Sequence, residues 1–281
     1  MLIYCQSIIL THQLLKFMCQ LLGLSSSDPI RLTFNWESFV MYGSQHGGNP
    51  DGWGVAYYEG VDAMLFREAE PAAESSMVQL LNKHAPRSEL IISHLRRATF
   101  GDIKLVNTQP FQRVLGGHSH IFAHNGFVSP CKMSNTSSWL LPQGDTDSEH
   151  LFCQLMGYLE PLWNSGGIPA FEKRFEVVKR FAQEALKRGA ANFLYSDGVN
   201  LFAHGHRQTL PGDAVSDEPG LYVNLYKSQP GSDMAIPCRG LRAEGSCSYQ
   251  ALVATQPLSD HEWVPLKPGE VACFEHGQRI K

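Results

Sequence analysis

Apolar positions in this chain follow the period of a β-strand in many short segments. Alternating or continuous apolar runs bounded by turn residues predict strands. The Glu59-Gly60 turn joins two of these runs into a hairpin, and Ser196-Asp197-Gly198 is a second strong turn signal. The predicted strands cover residues 21–25, 53–58, 63–68, 89–98, 120–124, 192–195, 200–204, 222–226, 251–255 and 271–275.

Three segments have the helical period instead, namely residues 75–84, 146–160 and 171–188. The first begins at a serine, and the last is followed by Gly189, which we predict as a helix stop. Helices set between groups of strands predict a layered α+β domain rather than a regular βαβ sheet. The apolar residues predicted to face inward on the second and third helices are Leu151, Leu155, Leu159, Phe171, Phe175, Val178, Phe181 and Ala185.

Composition narrows the class of protein. The 281 residues are 43% hydrophobic and 18% charged, as in an ordinary globular protein of one large or two small domains. A net charge of -4 argues against nucleic acid as the main partner, and no apolar run is long enough to predict a membrane span. Seven scattered cysteines without a C-x-x-C pair indicate neither a zinc ribbon nor a disulfide framework, so we expect a reducing, cytoplasmic setting. Segments 128–145 and 208–220 are predicted surface loops.

The pair Met18-Cys19 resembles a second and chemically better start of the chain. A thiolate is a strong nucleophile, but an unperturbed cysteine with a pKa of about 8.5 is only slightly ionised at neutral pH. If translation begins at Met18 and the methionine is removed, Cys19 also carries an α-amine. That amine titrates near about 7.7–8.0 and can serve as a general base for the thiol. The alternative is a buried core cysteine that opens a strand.

Residues 1–17 are apolar and need a separate interpretation. No Lys or Arg precedes their short apolar run and no A-x-A-like site follows it, which argues against a signal peptide. They are an over-extended start, a removable propeptide or an additional element, and we favour the first. A retained extension would acylate the α-nitrogen of Cys19 and abolish it as a base. We therefore expect a leader over 1–17 and a single domain over 18–281.

Two further segments have residue types suited to binding a small anion. Asp51-Gly52-Trp53-Gly54 places two glycines around an aromatic residue before a strand, which permits close backbone approach to a ligand. The segment His94–Thr99 ends a predicted buried strand with two arginines, one of which could hold a carboxylate in a bidentate fork. An ordinary turn and a pair of exposed charges are the simpler alternatives.

Asn125-Gly126 and Asp147 are the last two candidates. An Asn amide beside a Gly N–H could stabilise a developing oxyanion, although Asn-Gly is equally typical of a hairpin turn. Asp147 lies in Gly144-Asp145-Thr146-Asp147-Ser148-Glu149, which opens a predicted helix. There it either caps the helix and complements its dipole or binds a substrate ammonium.

The order of these segments is more specific than any one of them. Together with Asn107-Thr108-Gln109-Pro110-Phe111, Ser196-Asp197-Gly198 and Ala254-Thr255-Gln256-Pro257-Leu258, they make the chain similar to class II glutamine amidotransferases. These are N-terminal-nucleophile hydrolases, and the likeness is to their stand-alone bacterial YafJ-like type, from Met18 essentially to the C-terminus. The resemblance implies a four-layer αββα sandwich with the nucleophile at the start of a strand.

The resemblance also implies roles for individual residues. Cys19 matches the nucleophile, and Asn125 with Gly126 matches the oxyanion hole. Arg96 matches the arginine that grips the glutamine α-carboxylate, and Asp147 matches the acid that holds the α-ammonium. The remaining matches are predicted substrate-binding residues: His94 and Thr99 beside Arg96, and the pocket wall of Asp51, Gly52, Trp53 and Gly54.

The implied activity is hydrolysis of the γ-amide of glutamine through a Cys19 thioester, with no metal or cofactor. Glutamine-dependent synthases of this class fuse a second catalytic domain, so a separate ammonia-accepting enzyme is one expected partner. Two alternatives stay open: a hydrolase of other γ-glutamyl compounds, as in ergothioneine-pathway and glutathione-degrading relatives, and a catalytically silent binding protein with a blocked Cys19. A papain-like protease is disfavoured because no matching cysteine segment occurs. The pairs His118/His120 and His204/His206 we interpret as exposed or turn histidines rather than metal ligands.

Overall fold

The computed structural model describes residues 19–34, 49–129, 140–164, 166–209, 215–228 and 241–281. Strands dominate the described residues. They are β1 (Gln20–Phe34), β2 (Trp53–Glu59), β3 (Asp62–Glu68), β4 (Arg87–Leu95), β5 (Phe111–Leu115), β6 (His118–Val128), β7 (Gly189–Ser196), β8 (Leu201–Gly205), β9 (Arg207–Thr209), β10 (Val215–Pro219), β11 (Tyr222–Lys227), β12 (Leu241–Glu244), β13 (Tyr249–Ala254), β14 (Val264–Pro265), β15 (Glu270–Glu275) and β16 (Gln278–Arg279). The α-helices are α1 (Ser76–His84), α2 (Asp147–Trp163) and α3 (Phe171–Leu186).

The strands form two large antiparallel sheets and a small ribbon. The first sheet has the order β14-β11-β13-β1-β4-β2-β3, with β12 also paired to β1, and the second has the order β16-β15-β8-β7-β6-β5. Strands β9 and β10 pair with each other as a two-stranded ribbon. The first residue after Cys19 therefore enters the middle of the first sheet, between β13 and β4.

Alternation along β1 shows how the layers are filled. Leu21 belongs to a core that joins both sheets, whereas Leu22 and Leu24 belong to a core shared with α1 on the outer face. Successive strand side chains point to opposite faces, so both faces of the strand are buried over residues 21–24. This part of β1 is the short apolar run Leu21-Leu22-Gly23-Leu24 of the sequence.

Helices α2 and α3 cover the outer face of the second sheet. Their inward residues share one core with strand residues such as Phe122 and Phe193. Leu151, Leu155 and Leu159 are all buried, as the helical period predicts. The order of layers is therefore α1, first sheet, second sheet, α2 with α3, which confirms the predicted α+β four-layer αββα sandwich.

The structure decides between the two alternatives for Asn125-Gly126: it is not a hairpin turn, because β6 runs through both residues to Val128 and pairs with β7. Several local predictions are wrong. Gly189 is the first residue of β7, and the segment 208–220 contains part of the β9–β10 ribbon rather than only surface loop. His120 and His204 are buried in strands, not exposed.

Candidate active site

Cys19 lies at the edge of the described chain, directly before β1. The backbone N–H of Arg97 donates to its Sγ atom at 3.1 Å, and the thiol donates to the carbonyl of the same residue at 3.3 Å. Residue 97 follows β4, the strand that pairs with β1, so the sheet itself sets this contact. The sulfur is thus fixed between the start of one strand and the end of its neighbour.

The thiol is not ionised by its surroundings. Burial raises the pKa of Cys19 to about 11, although the Arg97 N–H and the positive charge of Arg96 act in the opposite direction. The carboxylates of Asp147 and Asp51 raise the pKa further. Arg96, Asp147 and Asp51 are therefore all close enough to the sulfur to act on it electrostatically. A thiol in this state needs a base before it can attack.

Asn125 contacts Cys19 from the second sheet. Its Nδ2 atom donates to the carbonyl of Cys19 at 2.7 Å. Gly126 follows with a φ of +135°, and a Cβ atom there would collide with the carbonyl of Ala190 on β7. Only glycine allows β6 to pack this closely against β7 in this conformation. The glycine is therefore explained by strand packing and not by a turn.

The strand that carries Asn125 has an unusual neighbour. Strand β5 pairs with β6 as far as Phe122, and beyond it the side chain of Gln109 takes over. Its Oε1 accepts from the N–H of His124 at 2.6 Å, and its Nε2 donates to the carbonyl of His124 at 3.1 Å. One side-chain amide thus replaces a backbone ladder next to the predicted oxyanion hole.

Arg96 is buried, with 3% of its surface exposed, and it forms no ion pair with a carboxylate in the part of the chain that the structure describes. Its guanidinium donates to the carbonyls of Phe100, Gly101 and Asp102 at 3.1 to 3.3 Å. Burial lowers its pKa, while Cys19, Asp51 and Asp145 raise it. Asp51 and Asp145 thus act on this guanidinium from a distance, while its hydrogen-bond acceptors among the described residues are all carbonyls. A buried guanidinium in this state can still attract an anion into a charge-assisted hydrogen bond.

The Asp51–Gly54 segment ties β2 to the end of β4. Asp51 accepts from the N–H of Ala98 at 2.7 Å through Oδ2, and the Arg96 N–H donates to the carbonyl of Gly52 at 2.8 Å. A Cβ at Gly54 would collide with the carbonyl of Gln109. Trp53 is buried and donates to Glu68 at 3.0 Å. The glycines here permit close packing of backbone on backbone, and Asp51 stabilises the loop whose Arg97 backbone contacts Cys19.

Asp147 is the first residue of α2, and the side chain of Thr146 caps that helix by accepting from the Glu149 N–H at 3.3 Å. The Oδ2 atom of Asp147 accepts from the N–H of Val128 at 2.9 Å. This bond links the helix to the strand that carries Asn125. The carboxylate is 6% exposed, and it acts on the Cys19 thiol as described above.

The other two predicted site residues have different surroundings. His94 is fully buried on β4, and neither ring nitrogen has a hydrogen-bond partner among the described residues. Burial lowers its pKa to about 3, so the ring is neutral near pH 7 and cannot donate a positive charge. Thr99 is exposed on the loop after Ala98. The structure thus brings Cys19, Asn125, Arg96, Asp147 and Asp51 together and sets His94 and Thr99 around them.

Four polar residues that support this site were not assigned roles from the sequence: Asn107, Gln109, Asn192 and Thr255. Asn107 holds the start of the α2 segment, since its Nδ2 donates to Asp145 at 2.6 Å. Thr255 accepts from the N–H of Leu21 at 2.8 Å and so anchors β1 two residues after Cys19. Asn107, Gln109 and Thr255 lie in the Asn107–Phe111 and Ala254–Leu258 motifs of the sequence. These motifs could therefore have indicated three of the four supporting residues.

Neither a metal centre nor a membrane-spanning helix is present among the described residues. No group of three or more His, Cys, Asp and Glu side chains in the part of the chain that the structure describes is arranged to hold a metal ion. Within the same residues, no helix has the length and apolarity required to cross a membrane.

Comparison with known proteins assigns the class. The family model for class-II glutamine amidotransferases matches residues 18–281, so the chain belongs to that family. It is 30% identical over 273 residues to YafJ of Escherichia coli (strain K12), a protein provisionally described as a glutamine amidotransferase, with 94% of this chain and 100% of that protein covered. A similarly described protein of Haemophilus influenzae is 29% identical, covering 95% and 87% respectively.

Solved structures agree with this assignment. A predicted glutamine amidotransferase from Pseudomonas aeruginosa superposes with a TM-score of 0.69 at 29% identity, covering 94% of this chain and all of that one. The glutamine PRPP amidotransferase of Bacillus subtilis gives a TM-score of 0.56 at 15% identity, covering 93% of this chain and 48% of that one. The second likeness concerns the fold alone.

Proposed function

We propose that this protein hydrolyses the γ-amide of glutamine, with Cys19 as nucleophile at the mature N-terminus. The observation that carries the proposal is the convergence of three polar groups on Cys19. The Arg96 guanidinium and the Asp147 carboxylate act electrostatically on its sulfur, and the Asn125 side-chain amide donates to its backbone carbonyl. Glutamine has an α-carboxylate, an α-ammonium and a reactive amide carbonyl. Arg96, Asp147 and Asn125 supply the three complementary groups.

Substrate orientation follows from the charges. Arg96 takes the α-carboxylate, in part replacing the carbonyl contacts that it makes in the free protein, and Asp147 takes the α-ammonium. With both ends fixed, the γ-carbonyl is directed at the Cys19 sulfur, which converts a bimolecular attack into an intramolecular one. The Gly52–Gly54 backbone forms the adjacent wall.

The chemistry needs a base because the pKa of the Cys19 thiol is about 11. Among the described residues, the hydrogen-bond partners of the thiol are backbone groups of Arg97. We assign the role of base to the α-amine of Cys19, which titrates near about 7.7–8.0 when it is free. The amine takes the thiol proton, and the sulfur bonds to the γ-carbon. Asn125 and the Gly126 N–H stabilise the oxyanion. The C–N bond then breaks, ammonia leaves with the proton, and water cleaves the γ-glutamyl thioester to glutamate.

The direct test compares Cys19→Ala with Cys247→Ala. Both substitutions remove one sulfur atom from a free cysteine, but only the first lies in the proposed site. Cys19→Ala should abolish release of glutamate from glutamine with a normal circular dichroism spectrum, whereas Cys247→Ala should keep the activity. Glutaminase activity that survives in Cys19→Ala would end the proposal. A blocked N-terminus in inactive native protein, detected by intact mass, would favour the silent binding protein instead.

A hydrolase of larger γ-glutamyl amides is the second candidate, and one surface favours it. The loop that holds Arg96 exposes Phe100, Ile103 and Leu105, each about half accessible, and the Phe100 ring contacts Phe127 beside Gly126. The γ-NH2 of glutamine is too small to use this apolar surface, whereas an alkyl or aryl amine leaving group could cover it. A higher kcat/KM for a γ-glutamyl anilide than for glutamine, without any partner protein, would select this candidate.

A further inference from the structure

We infer that Asn192 is a positioning residue that aims the Gly126 N–H at the reacting oxygen; this rests on the proposed function of Asn125 and Gly126. Asn192 lies on β7 directly opposite Asn125 in the β6–β7 register. It is 1% exposed, and it touches no predicted substrate-binding group.

Every polar atom of the Asn192 side chain is engaged. Its Oδ1 accepts from the N–H of His206 at 2.7 Å, which fixes the orientation of the amide. Its Nδ2 then donates to two carbonyls, that of Arg207 at 3.0 Å and that of Asn125 at 3.4 Å. A buried amide with this many partners has one orientation, and the carbonyl of Asn125 is one of its fixed points.

The contact with the Asn125 carbonyl has a direct consequence for Gly126. The carbonyl of residue 125 and the N–H of residue 126 belong to the same planar trans peptide unit, in which the two groups point in opposite directions. A donor that holds the carbonyl on one side therefore directs the N–H to the other side. The same hydrogen bond polarises the peptide and makes its N–H a better donor. Asn192 thus acts on the oxyanion hole without contacting the substrate.

The same network continues to the nucleophile strand. Gln208, next to Arg207 on β9, donates through Nε2 to the carbonyls of Pro219 at 3.0 Å and Thr255 at 3.4 Å. Thr255 in turn binds the N–H of Leu21. The base of the β9–β10 ribbon therefore bridges the strand that carries Cys19 and the strand that carries the oxyanion hole. Loss of Asn192 would remove the side-chain contact that the ribbon makes with β7, while the contact of Gln208 with Thr255 would stay.

Gly220 offers an independent way to displace Asn192. A Cβ atom on Gly220 would collide with the Oδ1 and Cγ atoms of Asn192, so this position is free of a side chain to make room for the amide. Gly220 itself follows the ribbon and contacts His206 through a backbone bond of 2.9 Å. Gly220→Ala should therefore reproduce the catalytic defect of an Asn192 variant.

The test uses Asn192→Asp, which keeps the side-chain shape but removes both donated hydrogens at neutral pH. We expect kcat for glutamine to fall by about tenfold or more at pH 8, with KM within a factor of about two, since a displaced oxyanion donor acts on the transition state. The matched control is Asn224→Asp, because Asn224 is also buried and donates to a carbonyl, that of Glu262 at 2.7 Å. It should lower stability but leave kcat unchanged.

A pH series separates positioning from mere support of the fold. The ratio of kcat in Asn192→Asp to kcat in the wild type should rise as the pH falls, because the protonated carboxyl regains an O–H donor for the Asn125 carbonyl. Gly220→Ala should lower kcat without that pH dependence, and Gly157→Ala, a helical site with open space, should be neutral. A wild-type kcat in both Asn192→Asp and Gly220→Ala would overturn the inference. Activity in Cys19→Ala would instead overturn the proposed function.

Discussion

Two arginines are buried at opposite ends of the sandwich, and they differ in what faces their charge. Arg174 on α3 forms an ion pair with Asp197, whose other oxygen accepts from Val199 and Asn200 at 3.1 and 2.9 Å. Arg96, at the Cys19 end, donates to backbone carbonyls and to no carboxylate among the described residues. One cation is neutralised by an ion pair within the protein, and the other is the one that we propose to bind a ligand.

The difference shows how a structural charge can be distinguished from a functional one. Burial alone does not separate them, since both guanidinium groups are almost inaccessible. The counter-charge does, because a protein that desolvates a cation without pairing it gives up stability at that point. Such a residue beside a nucleophile is a candidate for substrate binding.

The largest effect on stability is expected from breaking the ion pair between Arg174 and Asp197. Arg174→Gln leaves the Asp197 carboxylate buried without its cation, which should lower the free energy of unfolding by about 3–5 kcal/mol. Urea denaturation followed by tryptophan fluorescence measures this loss. Below the transition, kcat/KM for glutamine should equal that of the wild type. A selective loss of kcat/KM in the folded variant would show that this end also serves the site.

The complementary substitution is Arg96→Lys. An ammonium cannot reproduce the bidentate fork on a carboxylate, so KM for glutamine should rise by about ten- to a hundredfold, with a smaller change in kcat. Stability should change little, because no buried carboxylate loses its partner. Steady-state kinetics and urea denaturation of the same preparation measure both quantities. An unchanged KM would remove Arg96 from substrate binding.

The same contrast occurs between two acids in the first turn of α2. Glu149 is saturated by Arg113, by the Gln143 N–H at 3.1 Å and by the Gly144 N–H at 2.7 Å. Asp147 accepts from the Val128 N–H at 2.9 Å and from the Ser148 hydroxyl at the longer distance of 3.5 Å, and it forms no ion pair among the described residues. Asp147→Asn should raise KM by about tenfold through loss of the α-ammonium contact, whereas Glu149→Gln should mainly lower stability by about 1–3 kcal/mol. Equal KM values for the two variants would contradict this division of roles.

Much of the fold was predictable because its signals are local. Leu151, Leu155 and Leu159 repeat with the helical period and are buried, and Ser196-Asp197-Gly198 does turn between β7 and β8. Asn125-Gly126 was ambiguous because its two residues favour a tight turn locally. The long β6–β7 pairing and the carbonyl of Ala190 decide the conformation instead, and neither is visible in a short window of sequence.

The site was predictable only through motif order. Its geometry joins residues 19, 96, 125 and 147, and no periodicity relates such distant positions. Gln109 and Asn192 were missed as supports because a buried Gln or Asn on a strand has no pattern of its own; its partners lie 15 and 67 residues away.

The last prediction concerns the buried histidines, whose effect on the free energy of unfolding depends on pH. Burial lowers the pKa values of His94 and His204 to about 3 and of His120 to about 4, below the value near 6.5 of an unfolded chain. Below pH 6.5 these histidines therefore become protonated in the unfolded state but stay neutral in the folded state. The free energy of unfolding consequently falls as the pH falls. Each histidine contributes up to about 1.4 kcal/mol per pH unit.

Urea denaturation at pH 7, 6 and 5 measures that slope. His94→Gln should reduce this pH dependence of the free energy of unfolding by the contribution of one proton. The difference in the free energy of unfolding between pH 7 and pH 8 should stay as in the wild type. A slope that is flat from pH 6.5 to 5 would show that these rings are hydrated or paired in the folded protein.

Covalent trapping tests the role of Cys19 most directly. The wild-type protein is incubated with 6-diazo-5-oxo-norleucine, a glutamine analogue whose diazoketone alkylates an attacking thiol, and the product is mapped by peptide mass spectrometry. The account predicts one adduct per chain, on the sulfur of Cys19, in a peptide whose first residue is Cys19 with an unmodified α-amine. An adduct on another cysteine, or on a Cys19 still preceded by residues 1–18 in fully active protein, would contradict it.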